Sequence, residues 1–122
     1  MLPAKYRLTR SEDFRRVHSE GRSWANRMLV LCKLPRGESD TRFGFSVSRR
    51  LGKAVVRNRI KRLVREAVHK RLTTVVPGWD IVFIARQGVV GASFPEVDHA
   101  VAHLMGVAGL LKKDRAAEAG KS

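Results

Sequence analysis

One amphipathic stretch, residues 54–72, constrains the fold more than any other part of this sequence. Its apolar residues recur at helical spacing, and at about 100° per residue they fall on one arc of a helix. The opposite side of the same helix is basic. Such a segment is expected to fold as a helix that packs its apolar side on a core and exposes its basic side. The apolar positions are Val56, Ile60, Leu63, Val64 and Ala67.

The basic side of this helix belongs to a longer cationic segment, residues 49–71. This segment holds ten Lys and Arg residues against one acid, Glu66, and so carries +9 of the chain's formal net charge of +14. Like charges in a row on one helix face repel one another, so this pattern indicates a bound polyanion rather than a solvated surface. Arginine favours phosphate recognition because its guanidinium group binds two oxygens at once. The residues predicted to contact nucleic acid are Arg49, Arg50, Lys53, Arg57, Asn58, Arg59, Lys61, Arg62 and Arg65.

Length and composition predict one domain without a disulfide or a structural metal. The chain has 122 residues, of which 43% are hydrophobic, enough for one core. Cys32 is the one cysteine, so no internal disulfide can form, and a structural zinc site is not expected. Apolar runs too short to span a bilayer, and an N-terminus without a hydrophobic signal core, predict a soluble cytoplasmic protein. We expect residues 1–112 to form a single RNA-binding domain and residues 113–122 to form a disordered basic tail.

Two more helices are predicted from the way they begin. Each begins at a capping box, in which a hydroxyl and a glutamate side chain bind free backbone amides of the first turn. The first box, residues 9–12, precedes a helix over 11–20. The second box, residues 93–96, begins a helix that reaches about residue 112.

Three strands are predicted from alternating side chains. Residues 26–34 and 41–48 alternate and are separated by turn-forming residues, so we expect an antiparallel hairpin, with a short further strand near 47–51. Residues 79–86 are apolar on both faces, which is typical of a central strand covered twice. The chain is therefore predicted to be an α+β sandwich of one small sheet with packed helices. The element order is helix-strand-strand-(short strand)-helix-strand-helix.

The sequence predicts no catalytic centre within the protein itself. A metal-dependent nuclease needs clustered carboxylates, and the acids here are scattered. His99 and His103 lie four residues apart and could form an acid–base pair, but surface histidines on an amphipathic helix are the simpler interpretation. Cys32 is interpreted as a buried strand thiol.

The basic segment also carries a specific resemblance to a known family. Residues 52–66, with Arg-Asn-Arg at their centre, resemble the signature of the bacterial ribonuclease P protein subunit. The resemblance covers about residues 5–112. Other matching segments, in the expected order and spacing, are residues 11–17, 43–50 and 80–86.

This resemblance implies a division of labour between protein and RNA. The family's RNA subunit carries the active site and its magnesium ions. We therefore expect the RNA to hold most of the magnesium and the protein to contribute no catalytic residue. The protein binds that RNA and the 5′ leader of precursor tRNA, and promotes endonucleolytic removal of the leader to give the mature 5′ end. No membrane and no obligatory protein partner are expected.

The resemblance further implies a binding cleft and an unusual chain path. The family's leader cleft lies between the first helix and the sheet, and the positions implied here are Phe14, His18, Cys32 and Phe45. His18 and Cys32 stand where many members carry aromatic residues, so base stacking is expected to be weaker. The Arg-Asn-Arg helix of the family connects parallel strands of a mixed sheet by a left-handed crossover, against the usual right-handed rule.

Other functions stay open from the residues alone. A general RNA-binding or ribosome-associated protein without a processing role would share the charge and would not need the Arg-Asn-Arg pattern. A free-standing ribonuclease that uses His99 and His103 would cleave RNA without an RNA subunit. A sequence-specific DNA regulator is disfavoured, because no tight helix-turn-helix pattern is present.

Overall fold

A computed structural model describes residues 2–37 and 39–112, which contain three α-helices and four strands. The predicted tail, residues 113–122, lies outside the described residues. The helices are α1 (Ser11–Glu20), α2 (Ala54–His69) and α3 (Phe94–Val107). The strands are β1 (Arg22–Ala25), β2 (Leu29–Pro35), β3 (Arg42–Ser46) and β4 (Trp79–Ala85).

The four strands form one mixed sheet in the order β1-β2-β4-β3. β4 pairs with β2 in antiparallel orientation and with β3 in parallel orientation. Because parallel neighbours need a connection that returns the chain to the same end of the sheet, β3 is joined to β4 through α2. The predicted α+β class, the central position of β4 and the βαβ connection are therefore confirmed. The hand of the crossover stays a prediction.

The predicted hairpin between residues 26–34 and 41–48 is wrong, because β4 lies between β2 and β3. The hairpin is instead formed by β1 and β2. Asn26 shapes its turn, since its side-chain oxygen accepts hydrogen bonds from the amides of Met28 and Leu29 at 3.0 and 2.9 Å. This turn takes up the first residues of the predicted strand.

The helices cover the two faces of the sheet unequally. α2 and α3 pack on one face, here called the α2/α3 face, and α1 packs on the other, the α1 face. β4 serves both faces, because Ile81 and Phe83 point to the α2/α3 face and Val82 points to the α1 face. The buried cluster on the α1 face is small and consists of Leu8, Val17, Cys32 and Val82.

The second predicted capping box is confirmed and the first is wrong. Ser93 accepts a hydrogen bond from the amide of Glu96, and the Glu96 carboxylate accepts one from the amide of Ser93. At α1 the N-cap is Arg10, with no side-chain cap. The amide of Leu8 donates to the carbonyl of Phe43 at 2.8 Å, so the segment before α1 runs along β3 instead of folding back over the helix.

α2 and α3 end earlier than their apolar patterns predict. α2 ends at His69 and α3 at Val107. After α3 the chain turns back, with the amide of Leu110 donating to the carbonyl of Met105 at 2.9 Å. Leu110 is fully buried, so the apolar residues beyond α3 belong to the core without being helical.

Candidate nucleic-acid interface

The apolar side of α2 packs on the sheet as its periodicity predicts. Val56, at the start of the helix, is half-buried, and Val68 joins the buried side near its end. The side opposite is therefore fixed as the one that faces outward. The positions that were predicted to be apolar and are buried in the structure are Ile60, Leu63, Val64 and Ala67.

Two arginines on the outer side of α2 are held by backbone carbonyls of neighbouring loops. Arg57 Nε donates to the carbonyl of Gly52 at 3.2 Å, and Arg59 Nη1 donates to the carbonyl of Ala92 at 3.2 Å. Each guanidinium group has five N–H donors, so these bonds orient the group and leave other donors for a ligand. The remaining predicted residues of the helix are exposed or half-buried: Asn58, Lys61, Arg62 and Arg65.

The loop before α2 presents three further cations. The predicted strand near 47–51 is wrong, because Arg49–Leu51 forms a 3-10 turn in which the Ser48 hydroxyl accepts a hydrogen bond from the amide of Arg50 at 3.2 Å. Gly52 then adopts φ +145°, a conformation that favours glycine. The turn leaves these cations exposed: Arg49, Arg50 and Lys53.

The start of α2 adds a positive field to these cations. The first turn of α2 holds no acidic residue, so no side chain of that turn offsets the partial positive charge of the helix N-terminus. Anions are stabilised at such a position, where free backbone amides also point outward. The charge and the helix dipole therefore act in the same direction.

Not every basic residue of the cationic segment is free for a ligand. Lys70 and Arg71 both bind Asp98 on α3, Lys70 at 3.0 Å. The hydrogen bond from Arg71 is the main cause that holds the pKa of Asp98 below its ordinary value. These pairs join the end of α2 to α3. The nine predicted contact residues between 49 and 65 stay together on the outer side, and we call them the α2 surface.

The α2 surface continues onto the outer edge of β3. The guanidinium carbon of Arg65 lies 5.6 Å from the ring centre of Phe45, within the range of a cation–π contact. The Phe45 ring is in turn stacked on Phe83, with 6.2 Å between ring centres. An edge groove of about 210 Å³ follows this contact. Its lining consists of Arg7, Leu8, Thr9, Phe14, Phe43, Phe45, Lys61 and Arg65.

A second groove lies on the other face, between α1 and the sheet. It has a volume of about 440 Å³, and we call it the α1 groove. Val82 and Ile84 of β4 line it from the sheet, while Phe14 and the polar side chains line it from α1. The groove therefore combines apolar sides with a basic group. Its lining consists of Phe14, Arg15, His18, Ser19, Ser46, Val82 and Ile84.

Phe14 and His18 share the α1 groove, Phe14 and Phe45 share the edge groove, and Cys32 lines neither groove. Cys32 is buried beneath α1, and burial raises the pKa of its thiol. Phe45 packs on the α2/α3 face, because alternation along β3 points Phe45 and Gly44 to opposite faces. Phe45 thus meets the edge groove and not the α1 groove.

Sequence reasoning missed other lining residues of the α1 groove. Arg15 and Ser19 follow the spacing of the helix face that carries the predicted His18, and this spacing was the available signal. Ser46 and Ile84 needed the pairing of β3 with β4, which sets them opposite each other. Such a long-range contact leaves no local pattern.

The structure gives little support for a catalytic histidine pair or for a metal site. His99 and His103 are exposed, and His103 Nδ1 lies 3.4 Å from Asn26 Nδ2. Asp98 binds Lys70 and Arg71 instead of orienting either ring. In residues 2–37 and 39–112, no group of three or more His, Cys, Asp or Glu residues could hold a metal ion. No helix in this described part is long and apolar enough to cross a membrane.

The α2 surface and the neighbouring grooves define a class of protein. A small mixed α+β domain that exposes a cationic helix binds a phosphate backbone, as RNA-binding proteins do.

Comparison with known proteins gives the particular family. A family model described as Ribonuclease P matches residues 2–109. The "Ribonuclease P protein component" of Geobacillus thermodenitrificans is 47% identical over 113 residues, which are 92% of this chain and 93% of that protein. The protein of the same name from Alkaliphilus oremlandii is 40% identical over 104 residues, 85% of this chain and 91% of that protein.

Solved structures give the same result. The RNase P protein of Staphylococcus aureus superposes with a TM-score of 0.82 at 33% identity, over 88% of this chain and 98% of that one. The RNase P protein of Thermotoga maritima superposes with a TM-score of 0.75 at 32% identity, over 80% of this chain and 93% of that one.

The chain belongs to the ribonuclease P protein family. It is an accessory subunit of the ribonucleoprotein endoribonuclease that processes the 5′ end of tRNA, and its partner is ribonuclease P RNA. The predicted resemblance is thus confirmed, and nothing in these comparisons favours a general RNA-binding protein without a processing role.

Proposed function

We propose that the α2 surface binds ribonuclease P RNA and that the α1 groove binds the 5′ leader of precursor tRNA. The observation that carries this proposal is the separation of the two features. The α2 surface lies with α2 on one face of the sheet, and the α1 groove lies on the other. Two RNA strands can therefore bind at the same time without competing for the same side chains.

The chemistry of each surface supports its assigned partner. The α2 surface consists of eight cations and one asparagine, which suits contacts with phosphate oxygens on a folded RNA. The α1 groove offers the Phe14 ring and the apolar side chains of Val82 and Ile84, with Arg15 at hand for a phosphate. Stacking platforms beside a basic group are typical of sites for single-stranded nucleic acid, and a leader is single-stranded.

Magnesium has its place on the RNA in this proposal. The described residues offer no carboxylate cluster for the ion. The cations of the α2 surface would instead reduce the repulsion between two RNAs, so less magnesium would be needed for substrate binding. We propose that the protein acts in the cytoplasm without an obligatory protein partner.

Cleavage of a precursor tRNA by ribonuclease P RNA at low magnesium tests this function. We expect the full-length protein to restore cleavage at the mature 5′ end. Protein without ribonuclease P RNA serves as the control. Neither the wild type nor the His103→Ala variant should cleave the precursor tRNA alone. If the protein binds the RNA but restores no cleavage, the processing role is wrong. Cleavage by protein alone that His103→Ala abolishes would support the free-standing ribonuclease instead.

The leader assignment needs a separate comparison. The affinity of the assembled ribonucleoprotein is measured for precursor tRNA with a leader and for mature tRNA without one. We expect the protein to increase the first affinity more than the second. An equal increase would mean that the α1 groove does not bind the leader.

A further inference from the structure

A buried carboxylate lies at the start of the central strand, on the α1 face of the sheet. The side chain of Asp80 is 3% exposed. It accepts two hydrogen bonds from Arg42, from Nε and from Nη2, both at 2.8 Å. Arg36 Nε lies 3.6 Å from the same carboxylate. A two-point contact of this kind fixes the plane of the Arg42 guanidinium group.

The fixed guanidinium group reaches the first turn of α1. Arg42 Nη2 lies 3.7 Å from Asp13 Oδ2, and the two side chains are 25% and 16% exposed. The hydrogen bond to Asp80 is the main cause that raises the pKa of Arg42, whose guanidinium group is in any case always a cation in proteins. Asp13 therefore faces a charge whose position is set by the sheet and not by α1.

α1 and β3 are also in direct contact one step further along each element. Phe14 follows Asp13 on α1, and Gly44 lies two residues after Arg42, on the same face of β3. A Cβ atom on residue 44 would lie only 2.5 Å from Cζ of the Phe14 ring. The ring therefore lies against bare backbone, and its position depends on where the first turn of α1 is held.

We propose that Arg42, held by Asp80 and paired with Asp13, is a positioning residue that fixes the Phe14 ring against Gly44 in the α1 groove. Arg42 is absent from the groove lining and acts through α1. This inference rests on the proposed function, in which the α1 groove binds the leader. It assigns the placement of the stacking ring to an ion pair outside the groove.

Asp13→Asn is the first test, made on the free full-length protein. It removes the charge from Asp13 and leaves Asp80 paired with Arg42, whereas a variant of Arg42 would leave a buried charge without its partner. Because the Phe14 ring lies against Gly44, we expect its ring current to shift the NMR signals of the Gly44 Hα protons in the wild type. We expect these signals to move toward ordinary glycine values in Asp13→Asn and to stay in place in Asp13→Glu. Glu12→Gln changes the charge equally at an exposed position of the same turn and should leave the signals unchanged. Unchanged signals in Asp13→Asn would overturn the inference.

Affinity for the leader is the second test, made on the assembled ribonucleoprotein. We expect Asp13→Asn to weaken binding of precursor tRNA about three- to fivefold, as the loss of one partly exposed ion pair would. Binding of mature tRNA and of ribonuclease P RNA should not change. Gly44→Ala, which displaces the ring directly, should weaken leader binding at least as much.

The two tests separate failure of the inference from failure of the proposed function. If Phe14→Ala leaves leader affinity unchanged, the proposed function is wrong, and the NMR measurement still decides whether the ion pair positions the ring. If Phe14→Ala weakens leader binding while Asp13→Asn and Gly44→Ala do not, the positioning role is wrong and the proposed function stands.

Discussion

The two faces of the sheet differ in how completely helices cover them. The α2/α3 face holds most of the buried residues, and two helices seal it. The α1 face holds a small buried cluster, and α1 leaves a groove of about 440 Å³ beside it. The comparison teaches that one face supplies most of the stability, while the other trades buried area for an open binding surface.

The largest expected effect compares adjacent residues of β2 that point to opposite faces. Leu31→Ala removes a fully buried side chain from the α2/α3 face and should lower the free energy of unfolding by about 2–5 kcal/mol. Cys32→Ala removes one buried sulfur from the α1 face and should lower it by only about 1 kcal/mol. Urea unfolding measures both losses. Since Leu31→Ala removes three heavy atoms and Cys32→Ala removes one, equal losses would contradict this prediction.

The next effect concerns the open face and its proposed ligand. Phe14→Ala should weaken binding of leader-bearing precursor tRNA by about 1–3 kcal/mol, the usual contribution of one base stacked on an aromatic ring. Assembly with ribonuclease P RNA should change little, because Phe14 borders the α2 surface at the edge groove but carries none of its charge. Filter binding with both RNAs measures the two affinities. If both fall together, the division between the faces is wrong.

The third prediction concerns how the affinity of the α2 surface for RNA depends on salt concentration. With about six phosphates neutralised, log affinity for ribonuclease P RNA should fall with log salt at a slope of about −4 to −5. Arg62→Gln, at an exposed position of α2, should reduce the magnitude of this slope by about 1. Arg22→Gln is the matched control, since Arg22 is also exposed but lies on β1 at the far edge of the sheet. Equal changes would mean that net charge matters and position does not.

The smallest effect lies where α2 meets α3. The pKa of Asp98 is lowered by its hydrogen bond from Arg71, so its contribution to stability is present above its ordinary pKa of 3.8 and is lost as pH falls through the lowered value. Asp98→Asn should therefore be less stable than the wild type at neutral pH, by about 1 kcal/mol, and the gap should close in acid. Thermal unfolding between pH 2 and 7 measures the gap. Asp40→Asn, at an exposed ion pair, is the charge-matched control.

The sequence predicts α2 well and the strand partners poorly, for one physical reason. The two sides of α2 follow from spacing within a single helix, so Ile60 and Arg62 could be placed without knowing the rest of the fold. The pairing of β4 between β2 and β3 depends on contacts between distant residues, which alternation does not encode. The hairpin was therefore predicted with the wrong partner.

The candidate site shows the same limit. Phe14 and His18 could be predicted to share one face of α1, because they are four residues apart, whereas the groove beside that face was implied by the resemblance. Phe45 was assigned to that groove through the resemblance, although its strand points it to the other face. The pairing of Arg42 with Asp80 and Asp13 joins three separate elements, and no local pattern could have predicted it.

The strand order also bears on how the protein is made. β4 is the last strand of the described residues, and β2 and β3 pair with it and not with each other. During synthesis the β1–β2 hairpin and α2 leave the ribosome before β4 does, and the sheet stays in two pieces until residue 85 has emerged. Until then the apolar side of α2 lacks part of the sheet on which it packs. The cations of α2 are already exposed close to ribosomal RNA. The nascent chain thus meets polyanions before it can finish folding, which makes premature RNA contact a hazard of this topology.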